Sequence, residues 1–178
     1  MIWSGEFVAL DKILHDRTSF DCGEDELNTF LKKFASRHME ANISTTMLLP
    51  ASRQLPDGKY PICAFYTVTP GSISRETLPE AYRKRLPYYP VPVFLIAQMA
   101  VHSDCQRQGL GKVTLIKALE HLWRIHFYMK AHAVIVDCLN RNAETFFAKY
   151  GFETLCLNND RVRMFLPMKT VENSFRDI

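Results

Sequence analysis

The feature that most constrains this chain is the join at residues 91–112, VPVFLIAQMAVHSDCQRQGLGK. Residues 91–101 form a nearly continuous apolar run, the pattern of a strand buried on both faces of a sheet. A stripe of Leu115, Ile116, Leu119, Leu122 and Trp123 follows, spaced as one buried face of a helix reaching Lys130. Between strand and helix stand Gly109 and Gly111. A buried strand passing into a long helix through glycine calls for a mixed α/β arrangement.

The flanking segments extend this order. GEFVAL (5–10) reads as a first strand. FDCGEDELNTFLKKFASRHMEANI (20–43) opens on an Asp21-x-x-Glu24 capping pair with acidic residues in its first turn. Leu27, Phe30, Leu31, Phe34 and Ala35 then fall on one helical face. STTMLLPA (44–51) and YPICAFYTVTPGSI (60–73), joined through the turn PDGK (56–59), predict a hairpin. Residues 74–92 carry prolines and a basic cluster, and read as a short helix with irregular loop. AHAVIVDCL (131–139) is a strand, residues 143–150 a short helix, and FETLCL (152–157) and RVRMFLPM (161–168) close the chain as strands.

With 178 residues, 47% of them hydrophobic and 23% charged, the chain is expected to be a single domain over 1–178 with a proper core. The start MIWSGEFVALDK has neither the basic opening nor the apolar run of a signal peptide. The uncharged stretch 88–101 is too short for a membrane span and is broken by Pro90 and Pro92. The expectation is a cytoplasmic protein without membrane association. Cys22, Cys63, Cys105, Cys138 and Cys156 are odd in number and show no CxxC or Cys/His metal spacing, so buried or half-buried thiols are expected and no metal site.

Net charge is +3, too small to identify a nucleic-acid partner. Its distribution is more informative: LKKFASRH (31–38) carries Lys32, Lys33, Arg37 and His38, and YRKRLPYY (82–89) packs Arg83, Lys84 and Arg85 between tyrosines. Such clusters suit phosphates and equally suit a solvated face.

The segment Gln106–Arg107–Gln108–Gly109–Leu110–Gly111 opens the long helix. Helix N-termini present unpaired N–H groups and favour anions, and glycine lets backbone approach a ligand closely. A pyrophosphate fits such a turn, with Arg107 and Lys112 at its rim; a plain tight connection fits it too. The glycine spacing matches neither the P-loop nor the dinucleotide fingerprint.

QRQGLGK after FLIAQMAVH resembles the acetyl-CoA loop of GNAT-superfamily N-acetyltransferases, and NRNAETFFAKYGF (140–152) is similar to that family's second signature. The resemblance implies a mostly antiparallel sheet with two splayed parallel strands and flanking helices. FDCGEDELNTFLKKFASRH and PVPVFLIAQMAVHSDCQRQGLG further resemble the toxin branch of bacterial toxin–antitoxin pairs. That branch implies a homodimer that acetylates the α-amino group of aminoacyl-tRNA with acetyl-CoA and so blocks translation. It also implies a ribbon-helix-helix antitoxin, with DNA reached only through the antitoxin complex. Two other functions stay open: a GNAT enzyme acting on a small amine or protein N-terminus, and a non-catalytic subunit binding DNA or antitoxin.

By the same resemblance, the backbone of Met99 and Val101 pairs with the pantetheine arm. Gln106, Arg107, Gln108, Gly109, Leu110, Gly111 and Lys112 hold the pyrophosphate, Asn140 touches the cofactor, and backbone N–H near Met99 or Ala100 stabilises the oxyanion. Lys32, Lys33, Arg37, Arg83, Lys84 and Arg85 are candidates for the tRNA backbone. The family's proton donor is a tyrosine four residues before the glycine of YGF, a position filled here by Phe147. Three readings of Phe147 stay open: an inactive Tyr→Phe variant, an enzyme working without this acid, or a cofactor-binding relative with little catalysis. Tyr150 is displaced along the helix from that position, and His102 beside the loop is a further candidate base.

Overall fold

The structure, a computed structural model, describes residues 1–3 and 5–176. Its elements run β1 (Val8–Ala9), β2 (His15–Asp16), α1 (Asp25–Thr29), a π-helical turn (Phe30–Phe34), α2 (Ala35–Glu40), β3 (Thr45–Pro50) and β4 (Tyr60–Ile73). There follow α3 (Glu80–Arg83), β5 (Val91–Val101), α4 (Leu110–His126), β6 (Ala133–Asp137), α5 (Arg141–Lys149), β7 (Glu153–Asn158), β8 (Arg161–Pro167) and α6 (Met168–Phe175). The chain divides into two compact units, residues 1–69 with 97–118 and residues 70–96 with 119–178.

In the first unit β3 lies antiparallel to β4 in the expected hairpin, from Thr45 opposite Val68 to Pro50 opposite Ile62. The hairpin turns where PDGK predicts it: Gly58 adopts φ +83°, which glycine tolerates without strain, and the Lys59 N–H donates to Asp57. β1 adds antiparallel to β3, and the short β2 pairs parallel with β4. Phe20, Leu31, Leu48, Ile62 and Phe65 form a buried cluster with Phe30 and Ala35.

The helix expected from residue 20 onward takes a different form. Asp21 does not cap it; its carboxylate accepts from the Gly23 N–H and the Asn28 amide, and the helix begins at Asp25. A π turn interrupts the ladder, and Phe34 is 42% exposed instead of buried. One extra residue in the turn moves Phe34 off the 3.6-residue face to which the apolar spacing assigns it.

In the second unit β5 runs parallel to β6, and β6 and β7 each pair antiparallel with β8. The sheet pairings are thus mostly antiparallel with a parallel component, as expected. Ile73, Leu78, Val91, Val93, Ile135 and Phe165 form this unit's core. Pairing of β5 with β6 covers Val93–Leu95. The expectation of a strand buried on both faces holds only for its first part: Ala97 is exposed, and Gln98 and Met99 are half-buried.

α4 ends at His126, short of Lys130, and Ile116 of its expected stripe is exposed. The chain does not end on a strand. Pro167, whose fixed φ suits a helix start, leads into α6, and Met168 and Val171 bury its inner face. No helix among the described residues is long and apolar enough to cross a membrane.

Candidate cofactor site

The end of β5 and the start of α4 belong to the first unit. A short 3-10 turn at Ser103–Cys105 follows β5, with the His102 side chain accepting from the Asp104 N–H. His102 thus spends one ring nitrogen on its own turn. Arg107 and Gly109 both adopt left-handed backbone, at φ +60° and +79°. A Cβ on Gly109 would point into open space, so glycine serves here for its φ. Leu110 is buried with Leu49, Ala51, Cys63, Ala64 and Cys105, which pins the first residue of α4 to the core. The turn is therefore built, and the N–H groups of a 17-residue helix open from it.

The side chains of two residues in the expected phosphate loop have other duties. The Gln106 side-chain amide donates to the Val101 carbonyl and to the Cys22 carbonyl, both at 2.9 Å, and its backbone N–H donates to Ser103. The Gln108 side chain donates to the Asp104 carbonyl. Both glutamines hold the loop in shape. The Val101 carbonyl, expected to meet the pantetheine arm, already accepts from Gln106, whereas Met99 stands half-buried and Ala100 buried. Cys63 and Cys105 are both fully buried; burial and the neighbouring Cys105 push the Cys63 thiol up to about 12, which keeps it protonated and inert.

In the second unit, NRNAETFFAKYGF encodes a helix capped at both ends. The Asn140 side chain accepts from the Ala143 N–H at 3.0 Å, an N-cap bond that satisfies one orphan donor. At the other end Gly151 takes φ +88°. Its N–H donates to Ala148, and the Phe152 N–H donates to the Phe147 carbonyl. This pair of bonds is a Schellman closure, which is commonly sealed by an apolar contact. The seal is the Phe147 ring against Phe152, centroids 5.3 Å apart. Phe147 is 8% exposed, and Tyr150 is the half-buried C-cap beside Phe146.

Residues 71–154 match the family model described as an acetyltransferase (GNAT) domain. Over that stretch the chain is similar to a GNAT acetyltransferase domain. It is 29% identical over 155 residues to a tRNA-acetylating toxin of Mycobacterium tuberculosis, covering 86% of this chain and 87% of the relative. Its fold is similar to the structure of AtaT complexed with acetyl-methionyl-tRNAfMet, at TM-score 0.83 and 27% identity, over 96% of this chain and 98% of that one. It is also similar to the crystal structure of AtaTR bound with AcCoA, at TM-score 0.81 and 27% identity, over 96% and 97% of the two chains.

The remaining candidates sort by charge and contact. Lys32, Lys33 and Arg37 line one cavity of the first unit. In the second unit Arg83 pairs with Glu76 at 3.3 Å and Lys84 with Glu80 at 3.0 Å, while Arg85 is exposed. Asp137, at the end of β6, grips Arg163 across the β6–β8 pair at 2.7 and 2.8 Å and accepts from Asn158. Burial pushes its carboxyl up, and the Arg163 guanidinium with the Asn158 amide outweighs this and holds it below the ordinary value. Sequence reasoning missed the glutamine struts. Their only signal was two glutamines flanking Arg107 ahead of the glycine.

Proposed function

We propose that this chain, as one acetyltransferase domain over 1–178, transfers acetyl from acetyl-CoA to the α-amino group of aminoacyl-tRNA and so stops translation. The observation that supports this most is the likeness to a tRNA-acetylating toxin along 86% of the chain. The backbone N–H groups from Arg107 to Lys112 hold the pyrophosphate at the start of α4. Gln106 acts through its struts to Cys22 and β5 and not as a direct ligand, whereas Gln108 offers its backbone N–H while its side chain holds the loop. Met99 pairs with the pantetheine arm, and Val101 contributes less because its carbonyl already serves Gln106. Asn140 acts by fixing the start of α5.

When bound, acetyl-CoA supplies an acetyl thioester. An α-amine titrates at about 7.7–8.0, so much of it attacks as free base without a strong base from the protein. Backbone N–H at Met99 or Ala100 stabilises the charge that develops on the carbonyl oxygen. Phe147 offers no proton to the departing sulfur. A thiol of pKa about 8.5 leaves tolerably as its anion, so turnover persists at a reduced rate. Phe147 is thus the position of a missing acid in a working enzyme.

Lys32, Lys33, Arg37 and Arg85 meet the tRNA backbone. Arg83 and Lys84 contribute less, since each already holds a glutamate. Exposed Phe127, Tyr128 and Met129 after α4 suit a second copy of the chain or a ribbon-helix-helix antitoxin, and the chain works in the cytoplasm. In a cell-free translation system the protein arrests synthesis when acetyl-CoA is present, and removing acetyl-CoA restores it. Arrest without acetyl-CoA, or none with it, would overturn the proposal.

A further inference from the structure

The interruption in the first helix has a partner of its own. Within the π turn the Ala35 N–H reaches back to the Phe30 carbonyl, five residues away. Such a turn displaces carbonyls from the regular ladder, and single π turns recur at functional sites. Here Arg17 approaches from the chain before the helix, and its guanidinium donates to the Lys32 carbonyl inside the turn at 3.1 Å. Phe30, Leu31 and Ala35 stay buried on either side, while Phe34 stands 42% exposed. The fold therefore braces an aromatic ring outward at a position where the apolar pattern would bury it.

That ring forms part of a cavity of about 390 Å³ whose lining includes Lys12, Arg17, Lys32, Lys33 and Arg37. Glu40 is the one carboxylate of the lining, and it holds Lys12 at 2.7 Å. Cations alone would suit any polyanion. Cations around a held ring suit a nucleotide, because phosphates take the charge and a base takes the ring face. An acidic peptide would use the charge and leave the ring without a role.

We propose that this cavity docks an unpaired nucleotide of the RNA substrate, its base stacked on Phe34 and its flanking phosphates held by Arg17, Lys33 and Arg37. This rests on the reading of the chain as a tRNA-acetylating enzyme and names where that substrate's single-stranded part is gripped. Arg17 is a positioning residue as well, since it fixes the turn that carries the ring.

The test uses the full chain without acetyl-CoA and measures anisotropy of three labelled probes: a single-stranded RNA decamer, a blunt RNA duplex of equal charge, and poly-glutamate. Phe34→Leu weakens the decamer about tenfold, the scale of one base–ring stack, and leaves the duplex unchanged, while Phe34→Trp retains the decamer. Lys33→Gln with Arg37→Gln flattens the salt dependence for RNA. The proposal is overturned if Phe34→Leu leaves decamer binding intact, if the duplex loses as much, or if poly-glutamate binds as tightly as the decamer. Acetyl transfer measured alongside separates the two ideas. Unchanged KM for aminoacyl-tRNA in Phe34→Leu sinks the docking pocket and leaves the enzyme standing. Phe34-dependent RNA binding without any acetyl transfer does the reverse.

Discussion

Phe147 and Phe152 face each other at 5.3 Å across the end of α5, and the N–H of one donates to the carbonyl of the other. The ring at the position where the GNAT resemblance expects an acid therefore seals a helix terminus. A tyrosine keeps the same ring and adds a hydroxyl. Phe147→Tyr should raise kcat by about 10²-fold or more, the usual contribution of a general acid, with little change in melting temperature. Thiol release from acetyl-CoA in the presence of aminoacyl-tRNA measures the first, and a thermal melt the second.

The two ends of α5 carry separate, measurable contributions. Asn140→Ala removes the N-cap bond to Ala143 and should cost about 1 kcal/mol. Gly151→Ala forces a side chain into φ +88° and should cost about 1–2 kcal/mol. The two sites lie at opposite ends of the helix, so the double variant should lose close to the sum. Denaturant unfolding followed by circular dichroism gives each value.

Much of this helix was legible because its caps are local. Asparagine and glycine act on backbone within a few residues, so a short string reveals them. The hairpin and β5 were legible for a similar reason, through turn residues and unbroken apolar runs. The π turn at Phe30–Phe34 was not, because the 3.6-residue pattern of Leu27, Phe30, Leu31, Phe34 and Ala35 is satisfied on paper by a regular helix. Only the long-range bond from Arg17 to the Lys32 carbonyl marks the difference. α6 was hidden because Met164, Phe165 and Leu166 run as strand up to Pro167, and nothing apolar flags the switch. Among the site residues the glycine loop was readable, whereas the struts of Gln106 and Gln108 depend on where Cys22, Val101 and Asp104 fall in space.

Those struts predict a division of labour around the loop. Gln106→Ala frees two carbonyls and loosens the turn, so the KM for acetyl-CoA should rise about tenfold, as loss of roughly 1.4 kcal/mol implies. Gly109→Ala strains a left-handed position and should act the same way. Titration calorimetry with CoA reports both, and binding as tight as that of the unaltered chain would show that the loop does not depend on them.

Acid should weaken the fold in two stages. Burial lowers the pKa of His15 and His126, so near pH 6 the folded chain binds fewer protons than the unfolded one. Their contribution is complete above about pH 6.5 and is lost as pH falls below it. Asp137, held low mainly by Arg163 against its own burial, adds stability that is lost at still lower pH, below the ordinary carboxylate range. Melting temperature should fall between pH 7 and pH 5, less steeply in His15→Gln. Asp137→Asn should cost about 1.5–3 kcal/mol at neutral pH, the value of hydrogen bonds to a charged group.

The most direct measurement is mass spectrometry of charged tRNA after reaction with acetyl-CoA, for this chain and for Phe147→Tyr. The account predicts an acetyl group on the α-amine of the esterified amino acid in both reactions, formed slowly by the chain as it stands and faster by the variant. Absence of acetylated aminoacyl-tRNA from both, with acetyl-CoA binding intact, would contradict it.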